Sequence, residues 1–288
     1  MSSRALPYLA LAFAVVSLGF SAILVRWAGA PGTVSAFYRV GLAAAVMALP
    51  ALRRIRRASP LPRRGVWLAV LAGLFFAGDL GTWSTAVMVG NAANVTLLAN
   101  TAPIWVGLGA LVLFRERLGR IFWAGLLLAT LGAAVVLGGD YLTHPTLGYG
   151  DLLGLVASVF YAAFFLATQR AREGLSSVAA WWVSTATSAV GLLAASLLLG
   201  HTLAGYPAAT YGYLLAAALF TQVGGYIAVS YALGRLPASV VAPTLLGQPV
   251  LTALLGVPLL GEGLDWGQVL GGVMVLAGVL LVHRQRAK

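Results

Sequence analysis

The stretch NTAPIWVGLGALVLFRERL at residues 100–118 is answered by LLGQPVLTALLGVPLLGEGL at 245–264. In both, a proline sits in an apolar run that Glu-x-Leu closes at the same distance. A constant offset of 146 extends the match without a gap. Gly78, Ser84, Ala86, Ala92, Val95, Pro103, Leu108, Leu113, Glu116, Leu118, Gly125, Gly132 and Val136 each meet an identical residue. Apolar sequence pairs leucine and valine freely by chance, but it does not so readily pair a proline, a glutamate and spaced glycines as well. The chain therefore reads as two repeats, 1–145 and 146–288.

Composition supplies the setting. Of 288 residues, 60% are hydrophobic and 9% charged, and mean hydropathy is +0.93, whereas soluble domains are about 25% charged. These values define a membrane chain. A bilayer core of about 30 Å takes roughly 20 apolar residues per helix. Charged or Gly/Pro-rich breaks divide the chain into ten such segments, near 7–28, 32–50, 65–89, 92–114, 120–139, 148–171, 177–199, 207–234, 237–260 and 265–283. The expected fold is all-α and polytopic. Five segments per half is an odd number, so the second half enters the membrane from the opposite face. That is the inverted repeat common among secondary transporters.

Arginine sets the orientation. The run RRIRRASPLPRR at 53–64 marks its loop as cytoplasmic, because positive loops stay inside. Ten crossings then place both termini on that side. Arg115, Arg117, Arg120, Arg170, Arg172 and Arg235 fall in loops of the same side, as do Arg4, Arg284, Arg286 and Lys288 near the termini. The opposite loops lack lysine and arginine. A multi-pass protein of the cell inner membrane is expected. Arg4, the apolar run behind it and AGA at 28–30 resemble a cleavable signal. The run is too long for one, and Arg26 with Trp27 occupies the cleavage region, so the segment reads as a retained helix.

Other classes are excluded in turn. The formal net charge of +11 is spread over short loops facing anionic lipid, which suits membrane lipids as partners and not nucleic acid. Zero cysteines exclude disulfides and thiolate chemistry. His144, His201 and His283 make no metal-ligating pattern with carboxylates, and a phosphate-binding Gly-Lys-Ser/Thr loop is missing. The sequence FAGDLG at 76–81 suggests an intramembrane aspartyl enzyme, but no second aspartate lies deep in a segment. No cofactor, metal or catalytic residue is expected.

The proline followed by Glu-Arg-Leu or Glu-Gly-Leu, then glycines seven apart, resembles the EamA-type repeat of the drug/metabolite transporter superfamily. Gly19 with Arg26, and AFYRVGLAAA around Arg39, extend the resemblance over the whole chain. It implies a ten-helix basket whose third, fourth, eighth and ninth helices, with the first and sixth, surround a cavity. It also implies export of amino acids or related small metabolites from a bacterial cytoplasm. Length and aromatic content are similar to those of the YddG aromatic amino acid exporters, although the tryptophan often found beside Gly19 is missing. A multidrug or lipid-type exporter is the alternative; oligomeric state is open.

Candidate substrate contacts are the polar and aromatic residues buried in apolar segments. Asp79 is the only acidic residue deep in a helix. A central charge costs about 2.5–3.5 kcal/mol, so Asp79 either holds substrate or a proton, or pairs with Arg39 or Arg26. Arg39 either binds a carboxylate or snorkels to the surface. Trp83 follows Asp79 by four residues, on the same helix face. Gln222 and Tyr226 repeat this spacing in the eighth segment, and Tyr161 with Phe165 in the sixth. Asn100 and Gln248 occupy the middle of the fourth and ninth, where amides find inward partners. Pro103 and Pro249 remove a backbone donor and predict kinks, as hinges or as static bends. Gly125, Gly132, Gly271 and Gly278 predict close packing of the fifth and tenth helices. Glu116 and Glu262 are expected to cap and tie equivalent turns. Trp67, Trp123, Trp181, Trp182 and Trp266 read as interfacial anchors.

Overall fold

The computed structural model describes residues 5–58, 60–89, 92–137, 148–260 and 266–286. The expected junction of the repeats at 145/146, with Asp140, His144, Glu262 and Asp265, lies outside the described residues. Among those described, every regular element is helical. Nine spans are long and apolar enough to cross a membrane, and a bent pair makes a tenth. The expected segments recur as helices within a few residues.

The second segment differs from expectation. It runs as Gly32–Val46, bends by 54° at Met47 and continues as Ala48–Arg57, so part of the expected basic loop is helix. The reason lies in its pattern. Ala51 is buried and Ile55 packs beside Leu175 and Ala179, while Arg53, Arg54, Arg56 and Arg57 are exposed. Arginines on the outer side exclude this turn from hydrocarbon, and the helix leaves the axis of the span.

Glycine decides how the fifth span, Arg120–Leu137, meets the tenth, Trp266–Arg286. A Cβ on Gly125 would lie 2.7 Å from the carbonyl oxygen of Gly278, and one on Gly132 would lie 2.6 Å from that of Gly271. Only backbone fits there. These contacts also fix direction, since the pairs 125–278 and 132–271 advance oppositely along the two helices. At an offset of 146, Gly271 is the counterpart of Gly125 and Gly278 that of Gly132. Each contact is thus the image of the other, the signature of an isologous two-fold interface. The two repeats are inverted about an axis through this crossing.

Other packings obey the same exchange. The third span, Arg63–Val89, packs on the sixth, Tyr149–Arg172, and the eighth, Ala208–Leu233, packs on the first, Leu6–Ala28. The fourth packs on the sixth as the ninth packs on the first, and the second packs on the seventh, Ser177–Leu198. In the eighth span the image is imperfect, because Ala217–Gly225 is wound as a π-helix. The wider turn frees carbonyls for neighbours. Ser17 donates to the Phe220 carbonyl, and the Trp181 indole donates to that of Gln222 at 3.0 Å.

Tryptophan placement corrects part of the sequence reading. Trp67 and Trp266 are 73% and 87% exposed, as anchors require. Trp181 is buried against the π-helical turn. Trp182 donates to the Ala44 carbonyl at 2.9 Å, stapling the seventh span to the second. Position near a helix end did not reveal these partners, which come from distant sequence.

A cavity shared by the fourth, sixth and ninth spans

Proline interrupts the fourth and ninth spans near equivalent points. The fourth consists of Ala92–Ala99 and Ala102–Leu113, with Pro103 in the first turn of the second piece, where its missing N–H costs no helical bond. The ninth consists of Ala238–Thr244 and Gly247–Leu260, with Pro243 in the first piece and Pro249 at the start of the second. Neither break bends its span by more than 40°. Thr101 closes the first break by donating to the Leu98 carbonyl at 2.6 Å.

A cavity opens at these breaks. Asn100, Pro103, Tyr161, Phe165 and Gln248 line it together with Leu245. Five residues singled out from three separate segments thus meet at one place. The cavity offers about 20 Å³ for the centres of water molecules, room for about one. An amino acid does not fit until the walls part.

Aromatic rings carry the site inward. Tyr161 packs edge-on against Phe165 with centroids 4.7 Å apart, and its hydroxyl lies 3.4 Å from that of Tyr226. Phe76 stacks on Phe164 at 4.6 Å and meets Tyr226 at 4.9 Å. Asp79 and Arg39 lie beside this cluster. Both are buried, and each interacts electrostatically with the other and with Tyr161 and Tyr226. No ion pair within 4.0 Å joins Asp79 to Arg39 among the described residues. Arg39 donates one Nη to Ser21 at 3.0 Å, and its buried Nε–H has no partner there. The two side chains are therefore close enough to feel one another without a direct ion pair.

Gln222 and Trp83 stand apart from the rings. Gln222 is buried and directs its amide nitrogen to Thr185 of the seventh span at 3.5 Å, leaving its oxygen without a described partner. Its backbone carbonyl takes the Trp181 indole N–H, so Gln222 is engaged with the seventh span while Tyr226 joins the ring cluster. Trp83 is partly buried and contacts no aromatic ring among the described residues.

Hydrogen bonds join the halves at both ends of the bundle, one at the arginine-rich end, from Ser239 to Glu116, and three at the opposite end, while the other bonds at the arginine-rich end stay within the second half. At the arginine-rich end, the Ser239 hydroxyl donates to Glu116 and the Ala238 N–H to Gln169, each at 2.5 Å. Arg172 donates to the Ser230 carbonyl at 2.7 Å. At the opposite end, Thr33 bonds the His201 ring at 2.7 Å, Tyr38 donates to the Leu203 carbonyl at 2.5 Å, and Thr210 to that of Ala28 at 2.8 Å.

Sequence reading missed Phe76, Phe164 and Ser158. The paired phenylalanines at 75–76 and 164–165 were a signal for the first two. Ser158 carried none, yet it is a hub. It accepts from the Trp105 indole at 2.9 Å and Thr101 at 3.1 Å, and donates to the Leu155 carbonyl at 2.7 Å. Ser158→Ala removes the partner of a half-buried indole N–H, at a cost of about 1 kcal/mol. Its thermal midpoint in detergent should fall, and an unchanged midpoint would show that the hub carries no stability.

Compared with known proteins, the chain falls among membrane transporters made of two repeats. It belongs to the EamA-like transporter family, which matches it twice, over residues 5–138 and 148–284. It is similar to the uncharacterized transporter YyaM of Bacillus subtilis, with 25% identity over 253 residues, 85% of this chain and 82% of that one. An uncharacterized transporter of Archaeoglobus fulgidus is 25% identical over 206 residues, 72% of each chain. A crystal structure with 19% identity superposes with a TM-score of 0.81 over 98% of this chain and 99% of the other. It shares the fold.

Proposed function

We propose that this transporter exports small amphipathic metabolites, amino acids and above all aromatic ones, by alternating access between its inverted halves. The carrying observation is the cavity at the two proline breaks, where amides and aromatic rings meet and lead to a buried carboxylate and guanidinium. Aromatic walls bury a substrate ring at about 25 cal/mol per Å² of apolar area. Asn100 and Gln248 hold polar groups, while Asp79 and Arg39 offer opposite charges to the two ends of a zwitterion. Asp79 also serves as proton carrier where flux is coupled. The arginine-rich end faces the cytoplasm of an inner-membrane protein, and the repeat boundary falls near residue 145. Opening at the arginine-rich end breaks the Ser239–Glu116 bond, and opening at the other end breaks those of Thr33, Tyr38 and Thr210. Pro103 and Pro249 mark the hinges.

The deciding experiment is flux into proteoliposomes of labelled amino acids, nucleosides and cationic dyes. Aromatic amino acids are expected to move fastest, with Tyr161→Ala slowing them more than aliphatic ones. Dye flux without amino acid flux would sink this reading in favour of a multidrug exporter. Because the wild type lacks cysteine, single cysteines at Asn100, Tyr161 and Gln248 test the path. Substrate should protect them from a thiol reagent that labels exposed Trp67→Cys freely. Lack of protection at all three would remove the cavity from the path.

A further inference from the structure

A second space lies on the flank of the bundle, away from the transport cavity. Arg64, Leu68, Leu71 and Phe75 of the third span form one wall, Leu113 of the fourth another, and Ala163, Leu166, Ala167 and Arg170 of the sixth a third. Its volume is about 450 Å³. Leu71 and Leu113 are exposed, and in a bilayer that exposure is to acyl chains. From Arg64 to Phe75 the helix rises about 16 Å at 1.5 Å per residue, close to half of a hydrocarbon core of about 30 Å. The groove is one leaflet deep, apolar along its length and basic at its mouth.

Two guanidinium groups stand at the mouth, one of them held in place. Arg170 lies over the Phe114 ring at 4.3 Å, donates to the Leu113 carbonyl at 2.6 Å and to Glu173 at 2.8 Å. Those bonds use two of its five N–H donors and hold the guanidinium in place. Glu173 offsets one positive charge. Arg64 is exposed and makes no hydrogen bond or ion pair among the described residues, so its charge stands uncompensated. The comparable groove at the other end of the third and sixth spans is lined by Thr33, Gly78, Thr85, Tyr149 and Leu198 among others, and by no charged residue. Head-group selection is therefore confined to one leaflet.

We propose that this groove binds an anionic phospholipid of the leaflet on the arginine-rich side. Its phosphate rests between Arg64 and Arg170, and an acyl chain lies along Leu68, Leu71, Phe75 and Leu166. Basic recesses between spans recognise such head groups. The site is separate from the transport cavity and does not depend on which substrate that cavity takes.

The test is native mass spectrometry of the full chain, purified in detergent with equal amounts of phosphatidylglycerol and phosphatidylethanolamine. Wild type should retain the anionic lipid in about fivefold excess or more. Arg64→Gln should lower that retention about fivefold and leave the zwitterionic lipid unchanged, because no bond within the protein is lost. Arg64→Gln with Arg170→Gln should erase the preference, and Ala167→Trp, which fills the groove, should displace both lipids. Thermal midpoints separate binding from unfolding, and Arg64→Gln alone decides if the double variant fails to fold. Equal retention of both lipids by wild type would overturn the proposal. So would a preference that survives Arg64→Gln, or one that Arg53→Gln with Arg54→Gln abolishes equally.

Discussion

Asp79→Asn should leave a folded protein whose flux is about ten- to hundredfold lower and no longer responds to pH. Asparagine keeps the shape of aspartate but removes its charge, which costs about 2.5–3.5 kcal/mol at bilayer depth. Losing that charge does not break a direct ion pair, because Arg39 lies beyond 4.0 Å among the described residues and keeps its bond to Ser21. Folding therefore tolerates the change. Transport does not, because one charge-assisted hydrogen bond is worth about 1.5–3 kcal/mol and asparagine carries no proton. Flux should be measured from pH 6 to 8 (about neutrality on either side) beside the thermal midpoint. A lowered midpoint that Arg39→Gln restores would assign the pair a structural role. Normal flux at every pH, with normal yield, would remove Asp79 from the mechanism.

Gly132→Leu should lose most of the folded protein. A Cβ there lies 2.6 Å from the Gly271 carbonyl oxygen and equally close to the Val275 nitrogen, and backbone cannot yield as a side chain does. The fifth and tenth spans must separate, at a cost beyond the roughly 1–3 kcal/mol typical of an overfilled core. By the two-fold relation Gly278→Leu should do the same, since its Cβ would meet the Ala129 nitrogen and Gly125 oxygen at 2.5 Å. Gly212→Leu is the control, with nothing within 4 Å of the added atom. Fluorescence-detected size exclusion reads the result. A monodisperse Gly132→Leu at wild-type yield would mean that the crossing is not built as described.

The spans and the crossing were legible because their causes are local or repeated. Hydropathy located the ten segments, and the spacing of Gly125 and Gly132 against Gly271 and Gly278 foretold a close contact. Asn100, Tyr161, Phe165 and Gln248 were recognisable as polar or aromatic residues in apolar surroundings, and they converge. What escaped depends on partners far away in sequence. The bond from Thr33 to His201 spans 168 residues and that from Ser239 to Glu116 spans 123, and no periodicity encodes either. Gln222 illustrates the same limit, because nothing in its spacing from Tyr226 foretold its partners Thr185 and Trp181 on the seventh span.

That widened turn also bears on the transport cycle. In a chain of two perfect repeats, exchanging the shapes of the halves would turn the outward form into the inward one at no net cost, and the empty carrier would rest equally on either side. Here Ala217–Gly225 is π-helical, while its counterpart, residues 71–79, lies within an unbroken α-helix. The exchange is geared unevenly. In the alternating-access cycle proposed above, the empty carrier should therefore favour one side, set by its own winding before any gradient acts on it.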